Sequence, residues 1–468
     1  MRHPKRWLGL LALLAVVIAF LFWRQRFPEP TVTLDPPRAF LGQRATLTLV
    51  IASPSGGLRS VEARLTQAGQ DKTLLAESFP APAPTEVRRP LTLETQALGL
   101  KEGPADLRVW ARDSAWRPWS SGAPRLVHSL TVDLTPPTLE LLATTDYVRH
   151  GGAGVAVYRV EGASRSGVQV GSAFFPGVTG LSGKPTIAVA LFTVPHNDPP
   201  APPTLRAEDE AGNQRALGGL SHLLPARFPK GTVELSEAFL RNKLPELAPG
   251  VEAKTSDDLL QAFLRVNREG RQEVETKIHA IASRSGPNPL WQGAFQQQPN
   301  SKVFSNFAEE RTYGFNGRVV DTQRHLGFDL ASRRQAPVEA ANAGIVLFAG
   351  PLGIYGNAVI LDHGLGLATL YAHLSQITVT QGQSVPQGDV LGRSGETGLA
   401  GGDHLHFAVL IHGVYTTPLE WWDAKWIRDH IGRPLHQAGL DLPGLTPAVA
   451  DGPPEGSAPP RPARLRRR

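Results

Sequence analysis

The chain has 468 residues, which is long enough for two to four domains that each bury a core. It contains no cysteine, which excludes disulfides and metal sites built from thiolates. The net charge of +6 originates at the ends, because residues 1–26 and residues 461–468 each carry five basic residues and no acid. The remaining 38 basic and 42 acidic residues give no indication of a nucleic-acid-binding surface.

The first predicted element is a membrane-spanning helix within residues 1–26. Residues 7–23 form an uncharged run of 17 residues with a tryptophan at each end, and such a helix is about 25 Å long. A cleaved signal peptide is the alternative, but the following FLFWRQRF lacks the small residues of a cleavage site. The flanking basic residues favour a single-pass anchor with the bulk of the chain outside the cytoplasm.

Two β-sandwich modules are predicted next, over residues 31–134 and 135–218. Segments such as ATLTLVIA and ADLRVWARDS alternate apolar and polar residues between clusters of proline and glycine, which is typical of antiparallel sandwiches. The similar segments LRVWARDSAW and PTLRAEDEAGN indicate two copies of one fold. Both modules resemble bacterial immunoglobulin-like (Ig-like) modules, which implies a role as spacers or binding platforms.

A small helical connector is predicted over residues 219–300. One helix is expected around residues 235–244, and a second begins at Ser256, where Asp257 and Asp258 place acids in the first turn. Residues 301–425 return to glycine-rich strands, and residues 437–468 form a tail rich in proline and arginine that we expect to be disordered. The fold class is therefore mostly β.

The stretch GGDHLHFAVL places two imidazoles on one strand. Side chains alternate along a strand, so that His404 and His406 point to the same face. Two surface histidines on an edge strand are the alternative. Two other segments offer partners, since RHLGFDLA contains His325 and Asp329, and LYAHLS contains His373. His325 and Asp329 would lie about 13 Å apart in an extended strand, and Gly327 between them can supply the bend that brings them together.

Two imidazole nitrogens and one carboxylate suit Zn²⁺ with a fourth position open for water, which is the layout of a catalytic site. A structural zinc site usually has four protein ligands, commonly cysteines, and this chain has none. The other histidines after residue 300 are expected to be structural or exposed. They are His363, His412, His430 and His436.

In chain order, RHLGFDLA, GNAVILDHGLGLATLYAHLS, VTQGQSVPQGDVLGRSGETG and GDHLHF resemble the M23 metallopeptidases of the lysostaphin and LytM type, over residues 305–418. This resemblance implies a small antiparallel β domain with its site in a groove between loops. It implies that His325, Asp329 and His406 bind Zn²⁺ and that His373 and His404 handle the zinc-bound water.

The resemblance also implies a function and a location. The expected reaction is hydrolysis of peptide bonds in the cross-links or stem peptides of peptidoglycan, and the predicted anchor would place the enzyme on the outer side of the cell membrane. The β-sandwich modules could then contact cell-division or envelope partners. Two departures stand out, because Ala408 occupies a position where the family commonly has Glu, and Phe307-Ala308 with Arg311 replaces an early Phe-Gly-x-Arg.

Two other functions fit parts of the pattern. Some M23-like domains have lost ligands and act as non-catalytic activators of other cell-wall hydrolases, but all five polar positions are present here. VTQGQSVPQGDVLG also resembles the hairpin of a biotinyl or lipoyl carrier. A carrier needs a lysine at the hairpin tip, and residues 305–418 contain none.

Overall fold

The structure, a computed structural model, describes residues 9, 12–20, 22, 28–115, 122–197 and 199–445. It is mostly β, with mainly antiparallel sheets, as the sequence predicts. The chain divides into two compact units. The first comprises residues 1–138, 162–165 and 207–215, and the second comprises residues 139–161, 166–206 and 216–468.

The predicted membrane anchor lies partly outside the described residues, because Trp7 and Trp23 and some residues between them are not described. Residues 12–20 are helical and exposed. Within the part of the chain that the structure describes, no helix combines the length and the apolar character needed to cross a membrane.

Within the described part of the first unit, residues 31–132 form eight strands in two sheets. The strands are β1 (Thr31–Asp35), β2 (Phe40–Leu41), β3 (Arg44–Ala52), β4 (Leu58–Gln67), β5 (Gln70–Ser78), β6 (Glu86–Glu94), β7 (Gly103–Asp113) and β8 (Leu126–Val132). The sheet orders are β1-β3-β6 and β2-β8-β7-β4-β5. Apolar side chains at alternate positions, such as Leu47 on β3 and Val109 on β7, form one core shared by both sheets. Membership of the Ig-like class stays a prediction.

The described residues from 138 to 224, which include the second predicted module and a few residues beyond it, form ten short strands. They are β9 (Thr138–Thr144), β10 (Tyr147–Arg149), β11 (Ala153–Glu161), β12 (Arg165–Val170), β13 (Ala173–Pro176), β14 (Val178–Thr179), β15 (Ile187–Thr193), β16 (Thr204–Glu208), β17 (Gln214–Leu217) and β18 (His222–Leu224). They pair in the orders β14-β15-β11-β9, β13-β12-β16-β17 and β10-β18.

Part of this module packs directly on the C-terminal region within the second unit. The backbone N–H of Ala153 donates to Oε2 of the buried Glu420 over 2.7 Å, and the N–H of Thr417 donates to the carbonyl of Gly151 over 2.8 Å. The module is therefore structurally joined to the C-terminal domain.

The connector contributes a strand as well as helices. Strand β19 (Lys230–Leu235) precedes helix α1 (Glu237–Leu247), helix α2 (Ser256–Arg265), a π-helical turn (Val266–Gly270) and helix α3 (Arg271–Ala282). The predicted helix start at Ser256 is confirmed, and Thr255 is the N-cap of a capping box that it forms with Asp258 in the first turn. The strand was not predicted, and it forms because β19 pairs in parallel with a strand of the C-terminal domain.

The C-terminal domain contains thirteen strands and three short α-helices. The strands are β20 (Lys302–Ser305), β21 (Glu310–Phe315), β22 (Arg318–Arg324), β23 (Phe328–Ala331), β24 (Pro337–Glu339), β25 (Gly344–Pro351), β26 (Asn357–Gly364), β27 (Leu367–Leu374), β28 (Gln376–Ile377), β29 (Ser384–Val385), β30 (Val390–Arg393), β31 (Leu405–Ile411) and β32 (Val414–Thr416). The helices are α4 (Pro418–Trp422), α5 (Ala424–Ile427) and α6 (Arg433–Gln437).

The main sheet of this domain has the order β20-β23-β31-β27-β26-β25-β29, with β32 paired to β31. Smaller sheets have the orders β24-β30-β28 and β19-β21-β22. Strands β27 and β31 are buried along their whole length. These two strands therefore form a rigid support at the centre of the sheet.

The ordered chain continues past the predicted start of the tail at residue 437. Leu440, Leu442 and Leu445 are at most 5% exposed, so that burial of these leucines holds residues 438–445 on the domain. Residues 446–468, which make up the rest of the predicted tail, lie outside the described residues.

Candidate metal centre and active site

Asp329, His406 and His373 lie on three neighbouring strands of the main sheet. His325 lies between β22 and β23, and His404 lies directly before β31. Asp329 on β23 pairs with His406 on β31, and β27 brings Ala372, the residue before His373, opposite His406 on the other side. All five predicted site residues are at most 7% exposed. The alternative of two surface histidines on an edge strand is therefore wrong, since β31 lies inside the sheet and both rings are buried.

Three donor atoms meet at one point. Oδ1 of Asp329 lies 2.9 Å from Nε2 of His325 and 3.0 Å from Nδ1 of His406, and the two nitrogens are 3.0 Å apart. Among the described residues, these three side chains form the one cluster with metal-ligand geometry. Two imidazole nitrogens and one carboxylate oxygen in a triangle of this size fit three ligands of a tetrahedral zinc ion.

Backbone carbonyls fix the tautomer of three of the four histidines. A carbonyl only accepts a hydrogen bond, so each Nδ1 must carry its proton and a neutral ring keeps the lone pair on Nε2. The pairs are His325 with Asn306 (2.9 Å), His373 with Thr397 (2.8 Å) and His404 with Gly402 (2.8 Å). For His325, the free lone pair is the one that faces Asp329.

The ring of His406 leaves no space for a side chain at Gly327. A Cβ atom at Gly327 would lie 2.7 Å from both Nε2 and Cε1 of that ring and 2.6 Å from the carbonyl oxygen of Phe407. The sequence predicts a bend at this glycine, and the structure gives a further reason, which is the close approach of a metal-ligand side chain. His406 also packs on Tyr355, with ring centroids 5.2 Å apart.

His404 and His373 lie beside the donor triangle. Nε2 of His404 is 3.4 Å from Oδ1 of Asp329, and the ring centroids of His373 and His404 are 4.8 Å apart. His373 has a φ of 61°, a left-handed conformation that is rare for a non-glycine residue. Such backbone strain is concentrated at functional sites.

Burial and the charges of neighbouring groups shift the pKa values of these side chains in different directions. Burial lowers the pKa of His373 well below its usual value, and the neighbouring His404 and His406 lower it further. Burial also lowers the pKa of His406 to about 4. For His404, burial lowers the pKa but the hydrogen bond and charge of Asp329 outweigh it, so that the pKa is raised. Burial would raise the pKa of Asp329, yet the imidazoles around it, His325 first, hold it well below its usual value.

The altered early motif packs against these ligands. Nη2 of Arg311 donates to Oδ2 of Asp329 over 2.7 Å and to Oγ of Ser305 over 2.5 Å. The N–H of Ala308 donates to the carbonyl of His325 over 2.7 Å. The sequence marks Arg311 only as part of a motif that could shape the groove edge. Arg311 lies on β21 and Asp329 on β23, so that their contact joins strands of two different sheets, which the sequence pattern does not specify.

A groove with a volume of about 820 Å³ opens over the site. One wall is formed by residues 231–235 of β19 with Phe239 of α1, and another by the loop of residues 399–403. Phe304 lies at a β-bulge of edge strand β20, is 58% exposed, and meets the ring of His404 edge-on at 5.3 Å. The groove therefore combines strand edges and apolar side chains next to the donor triangle, and an extended peptide could lie along them.

The remaining predicted positions lie away from the donor triangle. His363 is fully buried, where it bonds the carbonyl of Ala343 and the hydroxyl of Thr369, and burial lowers its pKa to about 4. His436 is exposed beside Asp441. Ala408 is fully buried on β31.

Residues 323–418 match the model of peptidase family M23. With the geometry described above, the C-terminal part of this chain is an M23 peptidase domain.

The chain is similar to curated proteins over the same region. It is 36% identical over 127 residues to the DD-carboxypeptidase/endopeptidase Mpg of Neisseria meningitidis, which covers 27% of this chain and 29% of that protein. It is 34% identical over 166 residues to the peptidoglycan DD-endopeptidase ShyA of Vibrio cholerae, covering 35% of this chain and 37% of that protein. The aligned region thus spans less than two fifths of either relative.

Among solved structures, the catalytic domain of lysostaphin from Staphylococcus simulans aligns with 26% of this chain and 90% of that domain. Its sequence identity is 29% and its TM-score is 0.22.

Proposed function

We propose that this protein is a zinc-dependent endopeptidase that hydrolyses peptide bonds in the cross-links or stem peptides of peptidoglycan. The observation that carries this proposal is the meeting of three donor atoms in a buried triangle beside two further imidazoles. The similarity to peptidoglycan DD-endopeptidases supports the choice of substrate.

In this proposal, His325, Asp329 and His406 bind the metal through Nε2, Oδ1 and Nδ1. A bound zinc ion supplies Lewis acidity, which activates a water molecule and polarises a peptide carbonyl. The protein holds its three ligands ready, because β23 and β31 pair directly and the carbonyl of Asn306 orients His325.

His373 and His404 would move the protons. Each ring donates its Nδ1–H to a backbone carbonyl, so that the lone pair of the neutral ring lies on Nε2, which can accept a proton. A proton taken from the attacking water can then pass to the leaving amine. Once protonated, the same Nε2 can donate a hydrogen bond to the oxygen on which negative charge develops.

The alternative is a regulator without catalytic activity. Such a protein would be expected to lack a ligand or a proton-transfer group, whereas all five side chains lie together here. We therefore favour the enzyme.

The test is digestion of purified peptidoglycan by the purified full-length protein, followed by mass spectrometry of the new ends. We expect new amino and carboxyl termini within the peptides and no new reducing ends in the glycan. His406→Ala should abolish them, and His436→Ala, at an exposed position, should not. A wild-type protein that carries zinc but releases no ends would contradict the proposal and favour the regulator.

We also propose that the protein is anchored in the cell membrane with its peptidase domain outside the cytoplasm. The support is the uncharged run of residues 7–23 between basic flanks. A reporter fused after Arg468 tests this orientation. Activity of the reporter only in the cytoplasm would contradict it, and the cell wall would then be out of reach.

A further inference from the structure

Helix α1 of the connector binds a turn at the edge of the candidate active site. The turn consists of residues 396–398. Nζ of Lys243 donates to the carbonyl of Glu396, and Oε1 of Glu246 accepts from the N–H of Gly398 over 2.6 Å. These two bonds hold the backbone on both sides of Thr397.

Thr397 is the residue that orients His373. Its carbonyl oxygen accepts the Nδ1–H of His373 over 2.8 Å. A displacement of this carbonyl would therefore change both the tautomer preference and the direction of Nε2. The chain of contacts runs from helix α1 through the turn to an imidazole that binds no metal in our assignment.

The backbone of this turn is held in place by several close contacts. The hydroxyl of Thr397 donates to the carbonyl of Leu374 and accepts from the N–H of Asn357, both over 3.0 Å. Gly398 has a φ of 69°, and a Cβ there would lie 2.3 Å from the backbone nitrogen of Gly356. The two side chains of α1 complete this set of contacts.

The lysine on α1 is not explained by packing alone. Lys243 is 7% exposed and lies on the buried face of the helix with Leu240 and Leu244. Burial of an ammonium group costs free energy unless the group is hydrogen-bonded, so an apolar side chain would serve packing better. The bond to the turn gives the lysine a role that leucine or methionine could not fill.

We infer that Lys243 and Glu246 are positioning residues for His373, and that the connector is thus a working part of the peptidase. This inference rests on the proposed function, in which His373 moves a proton. Neither residue touches the donor triangle, so that they should affect turnover without affecting metal binding.

The test compares four variants of the full-length protein. Glu246→Ala removes an acceptor at an exposed position, so that the fold should persist, and Lys243→Met removes the donor but keeps the apolar stem. Glu246→Gln keeps an oxygen that can accept from Gly398. Arg241→Ala is the control, because Arg241 is exposed on the same helix and pairs only with Glu237 among the described residues.

Two measurements are made on each variant. With a soluble cross-linked fragment of peptidoglycan, we expect Glu246→Ala and Lys243→Met to lower kcat about tenfold, with KM and zinc content unchanged. Glu246→Gln and Arg241→Ala should stay within about twofold of the wild type. In spectra of protein labelled with ¹⁵N in histidine, the Nδ1–H signal of His373 should shift in the two damaging variants only.

Wild-type kcat together with an unshifted His373 signal in Glu246→Ala would overturn the inference. The same holds if Glu246→Gln is as impaired as Glu246→Ala. The spectra also separate this inference from the proposed function. If the wild type hydrolyses nothing, the proposed function fails, while the His373 signal still reports whether helix α1 positions that ring.

Discussion

Arg311 donates from Nη2 to Oδ2 of Asp329 over 2.7 Å and so leaves Oδ1 of that carboxylate to the imidazoles. One carboxylate oxygen of Asp329 thus binds a guanidinium, and the other faces the candidate metal site. This arrangement fixes the carboxylate as a one-oxygen ligand, since a charge-assisted hydrogen bond holds its other oxygen.

We predict that Arg311→Met weakens zinc binding by about 10- to 100-fold, because Oδ2 loses its donor and Asp329 becomes free to rotate. The dissociation constant is measured by competition with a chelator. Arg318→Met, at an exposed position on the neighbouring strand β22, should leave it unchanged. Equal zinc affinity in the wild type and Arg311→Met would show that Arg311 does not orient the ligand.

The site residues themselves could be found from the sequence, whereas their supports could not. His404 and His406 lie two residues apart and His325 and Asp329 four apart, so that short motifs reveal them. Arg311 on β21 and Asp329 on β23 belong to two different sheets. Their contact depends on how these sheets pack together, which the local pattern does not encode.

The same distinction applies to the connector. The helix start at Ser256 is visible because acids in the first turn of a helix are a local signal. Strand β19 is defined by its parallel partner β21, some eighty residues away along the chain. Helix α1 is similarly visible as a helix, but its bonds to residues 396–398 join segments about 150 residues apart.

Gly327 offers a second prediction. We expect Gly327→Ala to displace the ring of His406, since the added Cβ would meet ring atoms at 2.7 Å. Overpacking of this kind costs about 1–3 kcal/mol, so that the melting temperature and the zinc content should both fall. Gly401→Ala, in the loop of the same groove with no atom within 4 Å of the new Cβ, is the matched control. If Gly327→Ala binds as much zinc as the wild type, the close approach of His406 to residue 327 is not needed for metal binding.

Glu420 should make stability depend on pH. Burial raises its pKa from 4.5 to about 7. Between these values the folded chain retains a proton that the unfolded chain has lost, so that stability falls as pH rises from about 4.5 to about 7. At about 1.4 kcal/mol for each pKa unit, the loss reaches up to about 3 kcal/mol.

We therefore predict that Glu420→Gln removes this decline and is more stable than the wild type above pH 7. Its amide oxygen can still accept from Ala153. Melting temperatures of both proteins from pH 5 to pH 8 provide the measurement. Parallel curves would show that Glu420 does not titrate in this range.

The pair His404 and His406 gives the sharpest test of the assigned roles. Nδ1 of His406 belongs to the donor triangle, whereas Nε2 of His404 lies 3.4 Å from Asp329, outside it. His406→Ala should therefore lose its zinc together with its activity. His404→Ala should keep about one zinc per chain and lose most of its turnover, because a group that moves protons contributes about 10²- to 10⁴-fold.

Metal analysis and hydrolysis rates on the same preparations separate the two outcomes. His363→Ala is unsuitable as a control, because its ring is fully buried and hydrogen-bonded at both nitrogens. His436→Ala is suitable, because this side chain is half exposed. If His404→Ala hydrolyses at a near-normal rate, the proton transfer falls to His373 alone. If it loses its zinc, His404 is a metal ligand, and the three-residue assignment is wrong.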